Sequence, residues 1–324
     1  DNKIYSNTVS SSYFSGLYIQ SSDRALIRNN SFSSSGDNGI KMSSSDLGSS
    51  IDNNTLSSNT DYGLYVSNSE DLITKYNTVS DNNAGMYFSA SDDIIVSNNE
   101  VDDHSSHGIY FADSKQIRVK NNVIKNSLGD ALYLSTNCDS AFIDNNTIKS
   151  NGDSVNGRAV RIIEVEDTIL YNNTIDSNDY SGIVLTESSN NKIIQNVIKG
   201  NGKYGIQILN DDTKSANNTI KDNTINDNSN VAILNNGIFT NIFNNTIKYN
   251  EDDGIKITSE GARSTISSNN IVDNEGNSIS VSANNVDIKS NVIDGDSSTV
   301  AIVILSSDSV SIENNTIEGG LQGI

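Results

Sequence analysis

Residues 49–66 read SSIDNNTLSSNTDYGLYV, and two phrases that recur along the whole chain meet in this stretch. In the first phrase, an apolar residue is followed by polar residues, Asn, one further residue and an aliphatic residue. In the second phrase, a small residue precedes two apolar residues that are separated by one other residue. Both phrases place apolar side chains at alternate positions, which is the pattern of a half-buried β-strand.

The Asn of the first phrase returns at a regular interval. From Asn7 to Asn315 there are 308 residues in 13 steps, or about 24 residues per step. The small residue of the second phrase, from Gly16 to Ala301, returns with the same period. A shared period in two independent phrases identifies an internal repeat. The repeating Asn residues are Asn7, Asn30, Asn54, Asn77, Asn99, Asn122, Asn146, Asn173, Asn196, Asn223, Asn245, Asn270, Asn291 and Asn315.

This repeat predicts the fold. One repeat cannot cover its own apolar face, whereas stacked repeats bury it between them. We therefore predict an all-β protein, a single-stranded right-handed parallel β-helix (solenoid) of about 14 rungs of about 23–24 residues each, whose hand follows from the preference of parallel crossovers. Residues 1–324 would form a single domain. Neither end carries a cap, so we expect the domain to be part of a longer chain or an assembly.

The repeating Asn has a physical explanation in such a fold. Equivalent Asn side chains one rung apart can donate amide hydrogen bonds to one another and form a ladder. Asn also tolerates the left-handed backbone that a corner requires. Longer intervals follow Ala131 and Gly205, and they predict loops around residues 150–158 and 209–217.

The composition excludes several classes of protein. The chain has 324 residues with 51 Asn and 52 Ser, no Pro or Trp, and a formal net charge of −20. The acidic surplus repels phosphate backbones, so we expect no nucleic-acid partner. Long apolar runs are missing, so we predict no membrane span. Cys138 is the one cysteine and cannot form an intrachain disulfide.

The two phrases resemble those of the pectate-lyase-like superfamily of right-handed parallel β-helices. The chain is most similar to the Asn-rich repeat regions of adhesin-like surface proteins from archaea and bacteria. This resemblance implies an extracellular or cell-surface location. In the enzymes of the superfamily, it implies catalysis on the outer face of the sheet that the Gly phrase opens. Their motifs Asp-Pro-His-Glu and Arg-x-Pro-x-x-Arg require proline, which this chain lacks, and the Gly-His-Gly of the polygalacturonases is also missing.

The residue between the two apolar positions of the second phrase should point outward. On successive rungs this column contains five tyrosines, interrupted by Lys41 and followed by Arg161. Exposed tyrosines favour a binding surface for sugar rings or a partner protein. The alternative is cross-strand stacking that protects the sheet. The candidate binding residues are Tyr18, Tyr65, Tyr87, Tyr110 and Tyr133.

Acid–base chemistry requires carboxylates or histidines that converge beside this surface. Both histidines lie in DDHSSHGIY, residues 102–110. If the protein is an enzyme, His107 and Asp130 are the acid–base candidates, and Lys41 and Arg161 would neutralise a uronate. A polar corner is the interpretation of the histidines that we favour, and under it no catalytic residue is assigned.

We expect no metal or cofactor. Calcium is an alternative at the acidic pairs, although a solvated charge cluster explains them as well. These pairs are Asp92–Asp93, Asp211–Asp212 and the run 251–253. Seven Asn-x-Ser/Thr triplets are candidate glycosylation sites, although the repeat itself generates them because each precedes a ladder Asn. Their asparagines are Asn29, Asn53, Asn145, Asn172, Asn217, Asn244 and Asn314.

The leading functional hypothesis is a non-catalytic extracellular structural or adhesion protein, in the form of a self-assembling filament or cell-surface component. The regular repeat, the missing enzyme motifs and the uncapped ends support it, and they favour self-association. The alternative is a polysaccharide lyase, epimerase or glycoside hydrolase that acts on a long glycan along the tyrosine face. The partner in either case would be the same protein, a polysaccharide or another surface protein.

Overall fold

The fold is taken from a computed structural model, which describes residues 2–45, 48–153, 157–210 and 215–324. The chain divides into two compact units, Asp1–Arg161 and Ile162–Ile324. A single domain over residues 1–324 therefore stays a prediction. The predicted loops around 150–158 and 209–217 lie partly outside the described residues, which exclude 154–156 and 211–214.

Three parallel sheets make up the first unit, and we number them in the order in which the chain enters them. Sheet 1 contains Lys3–Tyr5, Leu26–Arg28, Ser50–Asp52, Ile73–Lys75, Ile95–Ser97, Arg118–Lys120 and Phe142–Asp144. Sheet 2 contains Thr8–Ser10, Ser31–Ser33, Thr55–Ser57, Thr78–Ser80, Glu100–Asp102, Val123–Lys125 and Thr147–Lys149. Sheet 3 contains Leu17–Gln20, Ile40–Ser43, Tyr62–Ser67, Ala84–Ser89, Ile109–Ala112 and Leu132–Ser135. The boundary between the units falls inside the strand Val160–Ile163.

The second unit repeats this arrangement. Its sheet 1 contains Ile169–Tyr171, Lys192–Ile194, Thr219–Lys221, Asn241–Phe243, Thr265–Ser267, Val286–Lys289 and Val310–Glu313. Its sheet 2 contains Thr174–Asp176, Val197–Lys199, Thr224–Asn226, Thr246–Lys248, Asn270–Val272, Val292–Gly295 and Thr316–Gly319. Its sheet 3 contains Ile183–Thr186, Ile206–Leu209, Ile233–Asn235, Ile255–Ile257, Ile279–Val281 and Ile302–Ile304.

Each strand pairs in parallel with its equivalent one turn later, so the same repeat position forms a column across a sheet. Tyr87, for example, pairs with Tyr110, and Tyr110 pairs with Tyr133. The predicted all-β parallel solenoid is confirmed, and the described residues contain no helix. One turn of the solenoid consists of three strands, one from each sheet. Because sheet 3 has 13 strands where sheets 1 and 2 have 14, the described chain completes about 13 turns.

The core is filled by the alternate apolar residues of every strand. Ile27, Ile51 and Val79 are completely buried, and Phe88 stacks on Phe111 with ring centroids 4.7 Å apart. A buried aliphatic side chain contributes about 1.5–3 kcal/mol relative to an exposed one. Stacked columns of such residues therefore account for most of the stability of a fold that has short strands.

The predicted asparagine ladder is present at the corner between sheets 1 and 2. In the first unit each Nδ2 donates to the Oδ1 of the next Asn at 3.0–3.1 Å, from Asn7 to Asn146. The prediction of Asn270 is wrong by one residue. Asn269 occupies the ladder and bonds Asn291, whereas Asn270 begins the strand Asn270–Val272. The two adjacent asparagines concealed the register, because Asn270 stands where most repeats have Thr.

A second ladder, which the sequence analysis missed, lies at the turn that follows sheet 2. In the first unit Asn59 bonds Asn82 at 2.9 Å, and the N–H of Asn82 donates to His104 Nδ1 at 3.2 Å. In the second unit the same position forms the run Asn178, Asn201, Asn228, Asn250 and Asn274. His104 is therefore a buried member of a ladder, in agreement with the polar-corner interpretation of this histidine.

The small residue that opens each strand of sheet 3 is required by a close approach between turns. A Cβ on Gly85 would lie 2.3 Å from the carbonyl oxygen of Gly108 and 2.9 Å from His104 Nε2. The backbone of neighbouring rungs therefore meets closely at this position. The residue just before the small residue therefore forms a tight column on the surface of sheet 3. The outward residue, two positions after the small residue, forms a second one.

Candidate active site on the third sheet

Four of the predicted tyrosines form a continuous half-buried stripe on the outer face of sheet 3 in the first unit. The ring centroids of Tyr65 and Tyr87 are 5.4 Å apart, those of Tyr87 and Tyr110 are 4.9 Å apart, and those of Tyr110 and Tyr133 are 4.6 Å apart. The last pair is parallel within 7°. We name these four residues the tyrosine stripe. In-register pairing of identical repeats produces it.

Tyr62 also packs on the stripe, and the sequence analysis missed it. Its ring centroid lies 5.2 Å from that of Tyr87 and 5.6 Å from that of Tyr65. Tyr62 is the residue directly before Gly63, so a search of that column would have found it. At the other predicted positions, the Nζ atom of Lys41 lies 5.7 Å from the ring of Tyr18 and 5.4 Å from that of Tyr65.

Two columns converge at the far end of the stripe. The residue before each small residue is His107, Asp130 and Arg158 on three successive turns. The outward residues three positions later are Tyr110, Tyr133 and Arg161. The repeat thus brings an imidazole, a carboxylate and two guanidinium groups beside two stacked phenols. We name these six residues the Asp130 cluster.

Asp130 is the centre of this cluster. Its side chain is only 3% exposed. Oδ1 accepts a hydrogen bond from the backbone N–H of Arg158 at 2.8 Å, and Oδ2 accepts one from Arg161 Nη1 at 3.3 Å. Arg158 Nη1 lies 3.9 Å from Oδ1. Burial of an unpaired carboxylate costs several kcal/mol, so Asp130 requires cationic partners. Through these contacts Asp130 holds the guanidinium groups of Arg158 and Arg161 at the surface.

His107 packs against the two phenol rings and against Asp130. Its ring centroid lies 5.6 Å from that of Tyr110 and 5.5 Å from that of Tyr133. The backbone N–H of Asp130 donates to His107 Nδ1 at 3.1 Å. Burial lowers the pKa of His107, and the positive charge of Arg161 lowers it further, against the opposing effect of Asp130. The imidazole is therefore neutral at neutral pH.

The phenol of Tyr133, next to His107, keeps its proton at neutral pH. Burial raises the pKa of Tyr133, although the guanidinium of Arg161, centred 4.9 Å from the ring, opposes this effect. Burial likewise raises the pKa values of Tyr62 and Tyr87. Tyr110 Oη lies 3.1 Å from Ser135 Oγ. The phenols of Tyr62, Tyr87 and Tyr133 can therefore donate hydrogen bonds to a ligand that lies on the stripe.

The structure brings together most of the predicted site residues but not all of them. His107, Asp130 and Arg161 lie in one cluster with Tyr110 and Tyr133. Lys41 lies four strands from Tyr133 in the same column of sheet 3. At about 4.8 Å per strand the two residues are about 19 Å apart, so Lys41 cannot act on the same sugar. Arg158 is a member that the sequence analysis missed, because the longer interval before it shifts it out of the regular count.

The other candidate sites have ordinary structural partners. Asp92 Oδ1 accepts the N–H of Lys115 at 2.7 Å, and Asp253 pairs with Lys256 at 3.5 Å. Asp211 and Asp212 lie outside the described residues. In the described parts of the chain, no three His, Cys, Asp or Glu side chains are grouped to hold a metal. Nor does any helix there have the length and apolar character to cross a membrane.

The seven triplet asparagines occupy exposed corners with a left-handed backbone. Their φ values lie between 54° and 60°. Six of them are followed directly by an Asn of the ladder between sheets 1 and 2, whereas Asn217 is followed by Asn218, which accepts the N–H of Asn191. The repeat thus explains these triplets without a modification, and glycosylation stays a prediction. They are Asn29, Asn53, Asn145, Asn172, Asn217, Asn244 and Asn314.

The fold is similar to that of several solved structures. The A-module of the Azotobacter vinelandii mannuronan C-5 epimerase AlgE4 matches with a TM-score of 0.61 at 15% identity, over 93% of this chain and 88% of that one. The A-module of AlgE6 from the same organism matches with a TM-score of 0.58 at 12% identity, over 100% and 91%. PfbA, a surface adhesin of Streptococcus pneumoniae, matches with a TM-score of 0.52 at 13% identity, over 92% and 83%.

These neighbours correct our leading functional hypothesis. We expected a non-catalytic structural or adhesion protein, and that expectation is wrong: the structural neighbours of this chain are mostly enzymes that act on carbohydrate, including both epimerase modules. The regularity of the repeat misled us, because catalytic and non-catalytic β-helices share it. The sequence also concealed the convergence of charge around Asp130, since its charged partner Arg161 lies 31 residues away in the chain.

No curated protein sequence matches the chain. The family model described as "Right handed beta helix region" matches residues 1–148, 94–243 and 154–317. These matches cover nearly all of the chain and agree with the parallel strand order of each sheet. The chain therefore belongs to the right-handed β-helix family.

Proposed function

We propose that this protein is an enzyme that acts on an acidic polysaccharide at C5 of a uronate residue, as an epimerase or a lyase. The observation that carries the proposal is the Asp130 cluster, where two arginines and a neutral histidine meet two stacked tyrosines at the surface. The tyrosine stripe leads directly to this cluster. It offers flat apolar rings to successive sugars of a long chain.

The chemistry requires that the negative charge of the sugar carboxylate be neutralised. Arg161 keeps 30% of its side chain exposed while Asp130 holds it in place, so its guanidinium can pair with a uronate carboxylate. Neutralisation favours transfer of the C5 proton to a solvent water on the exposed side of the cluster. The electron pair of the C5–H bond moves into the carboxyl group and forms an enolate. Preorganised donors stabilise such developing charge.

Two outcomes follow from the same enolate. In an epimerase, a proton returns to C5 from the opposite face and no other bond changes. In a lyase, the C4–O bond breaks, a C4–C5 double bond forms, and the leaving oxygen takes up a proton. The protonated phenol of Tyr133, stacked on the ring of Tyr110, lies beside this centre as a donor. The epimerase modules that share the fold support the first outcome.

Glycoside hydrolysis is the weaker alternative. Hydrolases of the common kind use two carboxyl groups, about 5–9.5 Å apart, on either side of the glycosidic bond. The Asp130 cluster contains one carboxylate, which is buried and already bonded to Arg158 and Arg161. Two arginines in contact with that carboxylate suit an anionic substrate better than a neutral one.

Polysaccharides of this kind lie outside the cell, so the proposed activity agrees with an extracellular or cell-surface location. The structural similarity to PfbA, a surface adhesin, supports the same location. Localisation can be tested by fractionating the source cells and probing each fraction with an antibody. Recovery in the cytoplasm alone would contradict this part of the proposal.

The activity can be tested by incubating the protein with mannuronan, polygalacturonate and a neutral glucan. We expect a changed C5 configuration by NMR, or unsaturated uronate ends by ultraviolet absorbance, with an acidic polymer only. Arg161→Gln should lose about 10²–10³-fold in kcat, the typical cost of removing one stabilising donor. Tyr171→Ala, on sheet 1 of the second unit, is the matched control and should leave the activity unchanged. Turnover of the glucan, or equal activity of Arg161→Gln, would contradict the proposal.

A further inference from the structure

His107 makes a contact that determines which of its ring nitrogens carries the proton. The backbone N–H of Asp130 points at Nδ1 from 3.1 Å. A backbone amide is an obligatory donor, so Nδ1 must accept. In the neutral imidazole the proton then resides on Nε2.

The carboxylate of Asp130 does not compete for a proton on Nδ1. Oδ2 lies 3.9 Å from Nδ1, which is too long for a hydrogen bond, and Oδ1 is bonded to the N–H of Arg158. The arrangement differs from a catalytic triad, in which a carboxylate accepts the Nδ1 proton and leaves Nε2 free as a base. In this chain the carboxylate is bonded to arginine.

The position of the ring leaves Nε2 available to a ligand. The Nδ1 edge faces the backbone, since a Cβ on Gly129 would lie 3.0 Å from that atom. The side chain is nevertheless 30% exposed. The guanidinium of Arg161, 4.9 Å from the ring of Tyr133, repels a second proton on the imidazole, which agrees with the direction of the His107 pKa.

We infer that His107 serves as a neutral hydrogen-bond donor, with its proton on Nε2 directed at the carboxylate or enolate of the acidic sugar, and is not the base that removes the C5 proton. This inference rests on the proposed function for its ligand, but the position of the proton does not. A neutral imidazole in this role has a precedent in triosephosphate isomerase, where it polarises a substrate oxygen.

The tautomer can be measured on the 324-residue chain without any substitution. With ¹⁵N-labelled histidine only two side chains give signals, because the chain has two histidines, and His107→Gln identifies the signal of His107 by its loss. At neutral pH we expect an unprotonated Nδ1 and a protonated Nε2. A protonated Nδ1, alone or in an imidazolium, would overturn the inference even if no substrate is ever found.

Activity supplies the second test. Gln places an amide N–H close to the position of Nε2 but cannot act as a base. We expect His107→Ala to lose about 10²–10³-fold in kcat on an acidic polysaccharide, and His107→Gln to regain at least tenfold of that loss. Equal losses in the two variants would contradict the donor role of His107. If the wild-type protein is inactive on every acidic polymer, the proposed function fails, whereas the tautomer is still decided by NMR.

Discussion

At the scale of single residues, this fold depends on buried amides that bond along the axis of each unit. Asn54 illustrates the pattern. Its Nδ2 donates to Ile27 O at 2.9 Å and to Asn77 Oδ1 at 3.0 Å, and its Oδ1 accepts from the N–H and Nδ2 of Asn30. An Asn side chain can satisfy its own polar groups and those of the corner at the same time.

Loss of one ladder amide should therefore be costly. Asn54→Ala leaves several buried donors and acceptors without partners, and we expect it to lower the free energy of unfolding by about 3 kcal/mol. Urea denaturation followed by circular dichroism measures this change. Asn53→Ser is the matched control, because Asn53 is exposed and Ser occupies the same left-handed corner at Ser6 and Ser290. Similar effects of the two substitutions would contradict the role of the ladder.

His104 makes one ladder sensitive to acid. It is 1% exposed, and among the described residues its Nε2 has no hydrogen-bond partner. Burial lowers the pKa of His104, against weaker opposing effects from hydrogen bonds to the Asn82 and Val79 backbone and from the charges of Asp102 and Asp81. The unfolded chain therefore binds a proton at a higher pH than the folded chain does. The contribution of neutral His104 to the free energy of unfolding is fully present above its unfolded pKa of about 6.5. It decreases as the pH falls towards the folded pKa.

His104→Asn should remove this part of the acid sensitivity, because Asn occupies the ladder at Asn59 and Asn82. Thermal melts of the wild type and the variant between neutral and mildly acidic pH provide the measurement. We expect the midpoint of the variant to change less with pH. An identical pH dependence in both proteins would show that His104 does not contribute to it.

At the scale of the strands, in-register pairing turns a repeated outward tyrosine into a surface. The rings of the tyrosine stripe lie 4.6–5.4 Å apart, close to the separation of neighbouring strands. The same columns place His107, Asp130 and Arg158 on successive turns, because the two phrases share one period. A ligand that is extended across the strands contacts several of these residues together.

Tyr87→Ala tests whether the stripe binds the glycan. Tyr87 lies two strands from Tyr133, so we expect the substitution to raise KM about tenfold for a long acidic polymer and to leave kcat nearly unchanged. A short oligosaccharide that reaches only the Asp130 cluster should show no such increase. An unchanged KM for the polymer would mean that the stripe only protects the sheet.

Much of this architecture can be predicted from the sequence, since period and alternation specify strands, sheets and the Asn7–Asn146 ladder. The candidate site is less predictable. Tyr110 and Tyr133 follow from the repeat, but Arg158 follows a longer interval that the repeat does not specify. Hydrogen bonds such as that from the Asp130 N–H to His107 depend on backbone positions that a residue pattern does not contain. The register of Asn269 against Asn270 was ambiguous for a similar reason, because both are Asn.

At the scale of the whole molecule, the negative net charge of the protein opposes the approach of the proposed anionic substrate. The chain carries 41 acidic and 21 basic residues, so it repels a polyanion at long range although the Asp130 cluster offers arginines locally. Salt screens the long-range repulsion beyond about 10 Å at 0.1 M and affects the partly buried cluster less.

We therefore expect kcat/KM for an acidic polysaccharide to rise when salt is added up to about 0.1 M, the concentration at which the Debye length falls to about 10 Å. Initial rates at low substrate concentration and constant pH measure this dependence. Added salt should also raise kcat/KM of the Tyr87→Ala variant. This result would show that the salt effect arises from the net charge and not from contacts on the tyrosine stripe. A steep decline from the lowest salt onwards would show that local attraction outweighs the net charge.

The most direct test of the central claim is the exchange of the C5 hydrogen of a uronate. Mannuronan is incubated with the protein in D₂O, and deuterium at C5 is measured by NMR after removal of the enzyme. Both an epimerase and a lyase break this bond, so we predict deuterium incorporation or C4–C5 unsaturation with the wild type, and about 10²–10³-fold less with Arg161→Gln. An acidic polymer that is bound or cleaved while every C5 hydrogen is retained would contradict the account.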